Sequence, residues 1–181
     1  MNNLPKHLGG HMGINHVDFG ALSYIKKNYN IESIIDIGCG LGEMKFICDN
    51  LNISYIGIDG DYTANRKHKD IIIHDYTSGK SSLTNFFDLA WSTEFLEHVE
   101  EKYIDNFMAD FTRCKYAMVT HALPGKRGYH HVNCKEKKYW IDIFYSYGFN
   151  LDEKETILIR DNSNMTREFI RNTGLFFVRN N

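Results

Sequence analysis

The residues Asp36-Ile37-Gly38-Cys39-Gly40-Leu41-Gly42 carry the most explicit chemistry in this chain. Glycine at alternate positions lets the backbone turn sharply and approach a ligand without Cβ clashes, and a helix starting just after such a loop offers unpaired N–H groups. Glu43 stands where a dinucleotide fingerprint carries its last glycine or alanine, so the match to NAD binding is poor. No glycine-rich phosphate loop ending in Lys-Ser or Lys-Thr is present, which argues against hydrolysis of a nucleoside triphosphate. The loop is opened by a carboxylate, Asp36, and that suits a cationic ligand. Its bland alternative is a strand-end carboxylate that ties down loop amides.

Other polar groups stand where apolar runs end. Asp59-Gly60 closes Ser54–Ile58, His74-Asp75-Tyr76 follows Ile71–Ile73, and Ser92-Thr93-Glu94 follows Phe86–Trp91. Asp75 has the alternative of forming a turn, and Tyr76 that of plain packing. Glu97 and His98 open a helical stretch, where a carboxylate favours the positive end of the dipole, so a structural role is the first reading for both. His121 ends the fifth apolar run and His130-His131 lies in the next loop, so His121 and His131 are the imidazoles placed to take a proton from a nucleophile. His11, His16, His121, His130, His131 and Cys134 are conceivable metal ligands, but none has a recognised zinc spacing, and the expectation is no metal.

The elements that must position these groups follow from periodicity. Ile34–Ile37, Ser54–Ile58, Ile71–Ile73, Phe86–Trp91 and Tyr116–Val119 are nearly continuous apolar runs, the pattern of strands buried on both faces of a parallel sheet. Helices are predicted from about Phe19 to Asn28, from Glu97 to Cys114, and from Lys135 to Tyr147 with Asn133 as its cap and Gly148 as its stop. Asp61–Lys69 and Tyr76–Asn85 read as turns or loops. Thr156–Arg160 and Leu175–Val178 read as two strands that pair antiparallel at the closing edge. The fold class is therefore α/β, doubly wound, with a mainly parallel sheet and an antiparallel C-terminal strand.

Length and composition agree with one domain over residues 1–181: 43% of residues are apolar, 24% are charged, and no apolar run approaches a membrane span. A soluble cytoplasmic protein with reduced thiols is expected. Net charge is −2 and shifts only mildly along the chain, and no stripe of interleaved basic and aromatic residues favours nucleic acid.

An acidic residue opening a loop with glycine at every second position resembles motif I of the class I S-adenosylmethionine-dependent methyltransferases. Glu97-His98-Val99 resembles the Glu-His-Val ending of their small-molecule branch, and the likeness extends over about Ile31 to Val178. The resemblance implies a Rossmann-like methyltransferase fold. It also implies S-adenosylmethionine as cofactor, S-adenosylhomocysteine as product, and direct in-line transfer to a small-molecule acceptor. The cofactor-binding residues it implies are Asp36, Gly38, Cys39, Gly40, Gly42, Asp59 on the ribose hydroxyls, Gly60, Asp75 and Tyr76 near the adenine, and Ser92. Catalytic candidates are His121, His131 and Glu94. The glycine-rich opening, within residues 1–18, is expected to fold over the cofactor as a lid. A non-catalytic binder of the same cofactor and a nicotinamide oxidoreductase are the alternative functions.

Overall fold

The computed structural model describes residues 4–14 and 16–180. The apolar runs pair into one sheet built from β1 (Ser33–Ile37), β2 (Ser54–Asp59), β3 (Ile71–Ile73), β4 (Phe87–Ser92), β5 (Cys114–Val119), β6 (Phe149–Leu151) and β7 (Leu175–Arg179). Their order is β3-β2-β1-β4-β5-β7-β6. β1 to β5 run parallel, whereas β7 is antiparallel to both β5 and β6. The chain winds outward from β1 through β2 to β3, then returns to β4 on the other side of β1. The crevice beyond the carboxyl ends of β1 and β4 is where a doubly wound sheet receives a ligand.

Six helices cover the sheet among the described residues: α1 (Phe19–Tyr29), α2 (Met44–Asn50), α3 (Ile104–Phe111), α4 (Lys137–Ser146), α5 (Glu153–Asn162) and α6 (Phe169–Thr173). Leu22 and Ile25 of α1, Cys48 of α2, Ile159 of α5 and Ile170 of α6 share one core with Ile34, Leu89 and Phe176. Phe107 and Phe111 of α3 and Trp140 and Phe144 of α4 build the second core on the opposite face, where Phe144 stacks on Phe177 of β7 at 4.3 Å. Buried Asp18 caps α1 by accepting the N–H of Ala21 at 2.8 Å. The same carboxylate accepts from the Ser163 hydroxyl and from the Asn164 N–H at 3.1 Å, joining the start of α1 to the end of α5.

The C-terminal expectation needs correction. Thr156–Arg160 is helix, not strand: Asp152 accepts the N–H of Glu155, acidic Glu153 and Glu155 stand in the first turn, and Thr156 and Ile159 are buried while Ile157 is exposed. Inward residues three apart are a helical spacing, and the caps decide what a short apolar run leaves ambiguous. The strand that pairs with β7 at the edge is the three-residue β6. The single helix predicted over Glu97–Cys114 breaks into 3-10 turns at Leu96–His98 and Glu101–Tyr103 before α3, because Val99 and Glu100 have extended ψ angles of 124° and 144°. Asn133 is not a cap; it is buried, and its N–H donates to the Glu97 carbonyl at 3.0 Å. Gly148 does stop α4, with φ +84°.

Candidate functional site

The carboxyl ends of β1 to β4 open into a cavity of about 600 Å3, within the range of about 300–1,000 Å3 usual for ligand pockets. Its floor is the β1–α2 loop with Asp36, Gly38, Cys39 and Gly40. Asp59, Gly60, Asp75 and Tyr76 form one wall, Glu94, Phe95, His98 and His131 another, and residues 7–12 form the roof.

The loop adopts the conformation that its glycines predict. Gly38 has φ +75°, and a Cβ there would stand 2.4 Å from the ring of Phe95, so no side chain fits. Gly40, at φ +55°, turns its N–H onto Asp59 Oδ2 at 2.9 Å and so couples the β1 loop to the end of β2. Asp59 Oδ1 accepts the N–H of Asp61 and the Arg66 guanidinium, each at 2.8 Å. Arg66 also donates to the Gly40 carbonyl at 2.9 Å and to the Asp61 carbonyl. Three donors on one carboxylate leave little acceptor capacity, and Arg66 is the donor on a flexible stem. Asp36 is buried and accepts the Tyr55 hydroxyl at 3.0 Å. Burial raises its pKa to about 7, opposed by the Tyr55 hydrogen bond and aided by the charge of Asp59. No backbone N–H of the loop donates to the Asp36 carboxylate; those of Gly38 and Cys39 go to the Ile58 carbonyl.

The N-terminal segment closes the roof through two imidazole–carboxylate pairs. His7 Nε2 meets Asp75 Oδ2 at 2.8 Å, and His11 Nε2 meets Asp61 Oδ2 at 3.0 Å. The other oxygen of Asp75 caps the 3-10 turn Tyr76–Ser78 by accepting the Thr77 N–H at 2.8 Å. Residues 1–3 and Asn15 of the expected lid lie outside the described residues.

At the far end, Glu94 has φ +53°, a left-handed conformation that costs a non-glycine residue about 1–3 kcal/mol, held by its N–H on Thr120 Oγ1 at 2.8 Å. Glu97 is fully buried, and neither carboxyl oxygen receives an N–H or hydroxyl; its hydrogen-bonding neighbour is the Glu94 carboxyl. Burial, and then the nearby Glu94 charge, push its pKa well above the usual carboxylate range. His98 and His131 meet edge to face with ring centroids 4.9 Å apart. Burial first, then the His131 charge, lower the His98 pKa to about 4, so this imidazole is neutral at pH 7.

The structure thus gathers Asp36, Gly38, Cys39, Gly40, Asp59, Gly60, Asp75, Tyr76, Glu94 and His131 around one cavity. It leaves three predicted residues out of the lining. His121 is buried behind it, with Nδ1 on the Lys135 carbonyl at 3.2 Å. Ser92 is buried and donates to the Ile37 carbonyl at 2.8 Å, holding β4 to β1. Gly42 turns away toward Ile71, whose Cδ1 would lie 2.4 Å from an added Cβ. Arg66 and Phe95 were not predicted; Arg66 sits in a polar loop, and only the glycine-to-ring contact reveals Phe95. His98 faces the cavity in spite of its expected structural role.

No family model matches the chain, and no curated protein matches it. Solved structures do match. A TehB-like SAM-dependent methyltransferase from Corynebacterium glutamicum aligns at 16% identity over 90% of this chain and 88% of its own, with a TM-score of 0.63. Magnesium protoporphyrin IX methyltransferase from Synechocystis with bound SAM aligns at 17% identity over 88% and 76%, with a TM-score of 0.58. The plantazolicin methyltransferase BpumL in complex with SAH aligns at 16% over 90% and 83%, with a TM-score of 0.55. The fold is the Rossmann-like fold of class I methyltransferases.

Proposed function

We propose that this chain is an S-adenosylmethionine-dependent methyltransferase acting on a small-molecule acceptor by direct in-line transfer. The observation that carries the reading is the pairing of Asp59 with the Gly40 amide across the mouth of the crevice, a carboxylate beside a left-handed backbone that favours glycine. The residues fit the cofactor. Asp59 suits adjacent sugar hydroxyls once Arg66, the one donor on a flexible stem, swings off Oδ1 and leaves the two backbone N–H groups in place; the glycine floor leaves space for main chain to meet an amino-acid tail, and buried Asp36 suits its ammonium group. Bound there, the cofactor supplies an electrophilic methyl group on a sulfonium and leaves as S-adenosylhomocysteine.

The chain's own work is alignment and exclusion of water. Holding the acceptor at contact distance accounts for about 7–11 kcal/mol of barrier reduction in well-oriented reactions. Phe95 and Tyr76 give the cavity an apolar wall, and residues 7–12 cover it as a lid. Glu94 is the carboxylate placed to take a proton from an acceptor O–H or N–H. The magnesium protoporphyrin and plantazolicin enzymes, similar in fold, support a non-macromolecular acceptor.

Calorimetric titration with S-adenosylhomocysteine, S-adenosylmethionine and NADH tests this. The two sulfur ligands bind and NADH does not; the opposite result overturns the reading. In the same assay Asp59→Ala weakens S-adenosylhomocysteine binding by about 2–4 kcal/mol, the loss of two charge-assisted hydrogen bonds. Unchanged affinity in a folded variant removes Asp59 from the site.

A further inference from the structure

We infer that Glu97, His98 and His131 bind a divalent transition-metal ion at the acceptor end of the cavity. One ligand atom from each of the three lies within 4.8 Å of the others. Ligands at bonds of about 2.0–2.2 Å around a tetrahedral ion stand about 3.4 Å apart, so rotamer-scale movement of about 1 Å closes the set. His98 and His131 line the cavity, while Glu97 backs them from the interior. The ion therefore sits in the wall with its remaining positions toward the acceptor.

The case for a cation rests on unmet demands. Both oxygens of Glu97 and Nδ1 of His98 are buried without an N–H or hydroxyl partner, Glu97 having only the Glu94 carboxyl beside it, and among the described residues no ion pair includes Glu97. A proton shared with Glu94 answers the carboxylate alone; one divalent ion answers the carboxylate and both imidazoles together. The tautomer of His131 leaves a nitrogen free for ligation. Its Nδ1 lies 3.1 Å from the Lys126 carbonyl, an acceptor only, so Nδ1 carries the hydrogen and the lone pair is on Nε2, which packs over Gly128. Two imidazoles and one carboxylate suit manganese, iron, cobalt, nickel or zinc better than the all-oxygen preferences of magnesium and calcium. The short Leu96–His98 turn sets the carboxylate and the first imidazole side by side, and the Val132 and Asn133 N–H groups on the Glu97 carbonyl, at 2.9 and 3.0 Å, bring the His131 loop to them.

This deepens the methyl-transfer reading and rests on it for the use of the ion; binding of the ion does not depend on it. An oxygen of the acceptor held on an open position would be fixed beside Glu94 and made more acidic, which favours hydroxyl-bearing acceptors.

The test is titration of the chelator-treated, full-length chain with Co2+, followed by its visible d–d absorption, alongside a separate S-adenosylhomocysteine titration. One equivalent binds with d–d bands; His131→Ala, on a partly exposed loop that tolerates truncation, and Glu97→Gln each weaken it roughly tenfold or more. Cys134→Ser, beside His131, retains binding and excludes a thiolate site. Absence of bands, or equal affinity in wild type and a folded His131→Ala, overturns the inference. S-adenosylhomocysteine binding without Co2+ binding defeats this inference alone, and the reverse defeats only the methyl-transfer reading.

Discussion

Asp36 and Asp59 stand close enough for the charge of Asp59 to act on Asp36, and they do opposite things. Asp59 accepts from three donors, one of them the flexible Arg66, whereas Asp36 keeps one partner, Tyr55, and a pKa raised to about 7. A carboxyl raised in the folded state contributes stability that is fully present below the ordinary carboxylate range and lost as pH rises through about 7. Recognition of an ammonium group runs the other way, because it needs the ionised form. Affinity for S-adenosylhomocysteine therefore falls as pH drops through about 7, approaching about tenfold per pH unit, and Asp36→Asn makes the profile flat at the weak end while raising the melting temperature at pH 8. Calorimetry between pH 5.5 and 8.5 checks the first, a thermal melt the second, with both pH limits taken about 1.5 units either side of 7. The glycines, Asp36 and Asp59 were legible in the sequence because they serve a local loop. Position at a strand end does not say which side of the sheet edge a ring takes, and His121 turns inward to the Lys135 carbonyl, outside the cavity lining.

Among the elements, the parallel half was readable and the antiparallel half was not. β1, β2, β4 and β5 are runs of five or six residues with much of their length buried, and the three isoleucines of β3 follow at the same spacing, a pattern with one common solution. β6 has three residues, too few to show a period, and α5 holds the run Thr156-Ile157-Leu158-Ile159 that looks β-branched until its cap at Asp152 is considered. Helical register gives a direct check. Ile159→Ala, in the core, costs about 2–5 kcal/mol in chemical denaturation, whereas Ile157→Ala, exposed, stays within about 0.5 kcal/mol. Equal costs would contradict the helix. The broken stretch after β4 has a different cause: Val99 and Glu100 take extended angles to bring Glu97 and His98 inward, a tertiary demand with no local sign.

In the molecule as a whole, two cores grip one sheet and the cavity lies at its carboxyl edge, under a segment held by His7–Asp75 and His11–Asp61. No helix among the described residues is long and apolar enough to cross a membrane. The double variant His7→Ala/His11→Ala removes both fastenings; with partly exposed pairs worth about 0–1 kcal/mol each, it weakens S-adenosylhomocysteine binding by up to about tenfold in calorimetry and leaves the global melt nearly unchanged. Unaltered affinity would detach the roof from the function. Glycine richness made this segment visible in the sequence, but its partners, about 50 and 68 positions away, were not. Its root has a further meaning. Asp18 is bonded to Ser163, 145 positions downstream, so the strap swings from a fixed pivot seated on the opposite end of the chain. Damage to the turn after α5 would therefore be felt at the cavity mouth as a misaligned hinge pin, far from any group that touches a ligand.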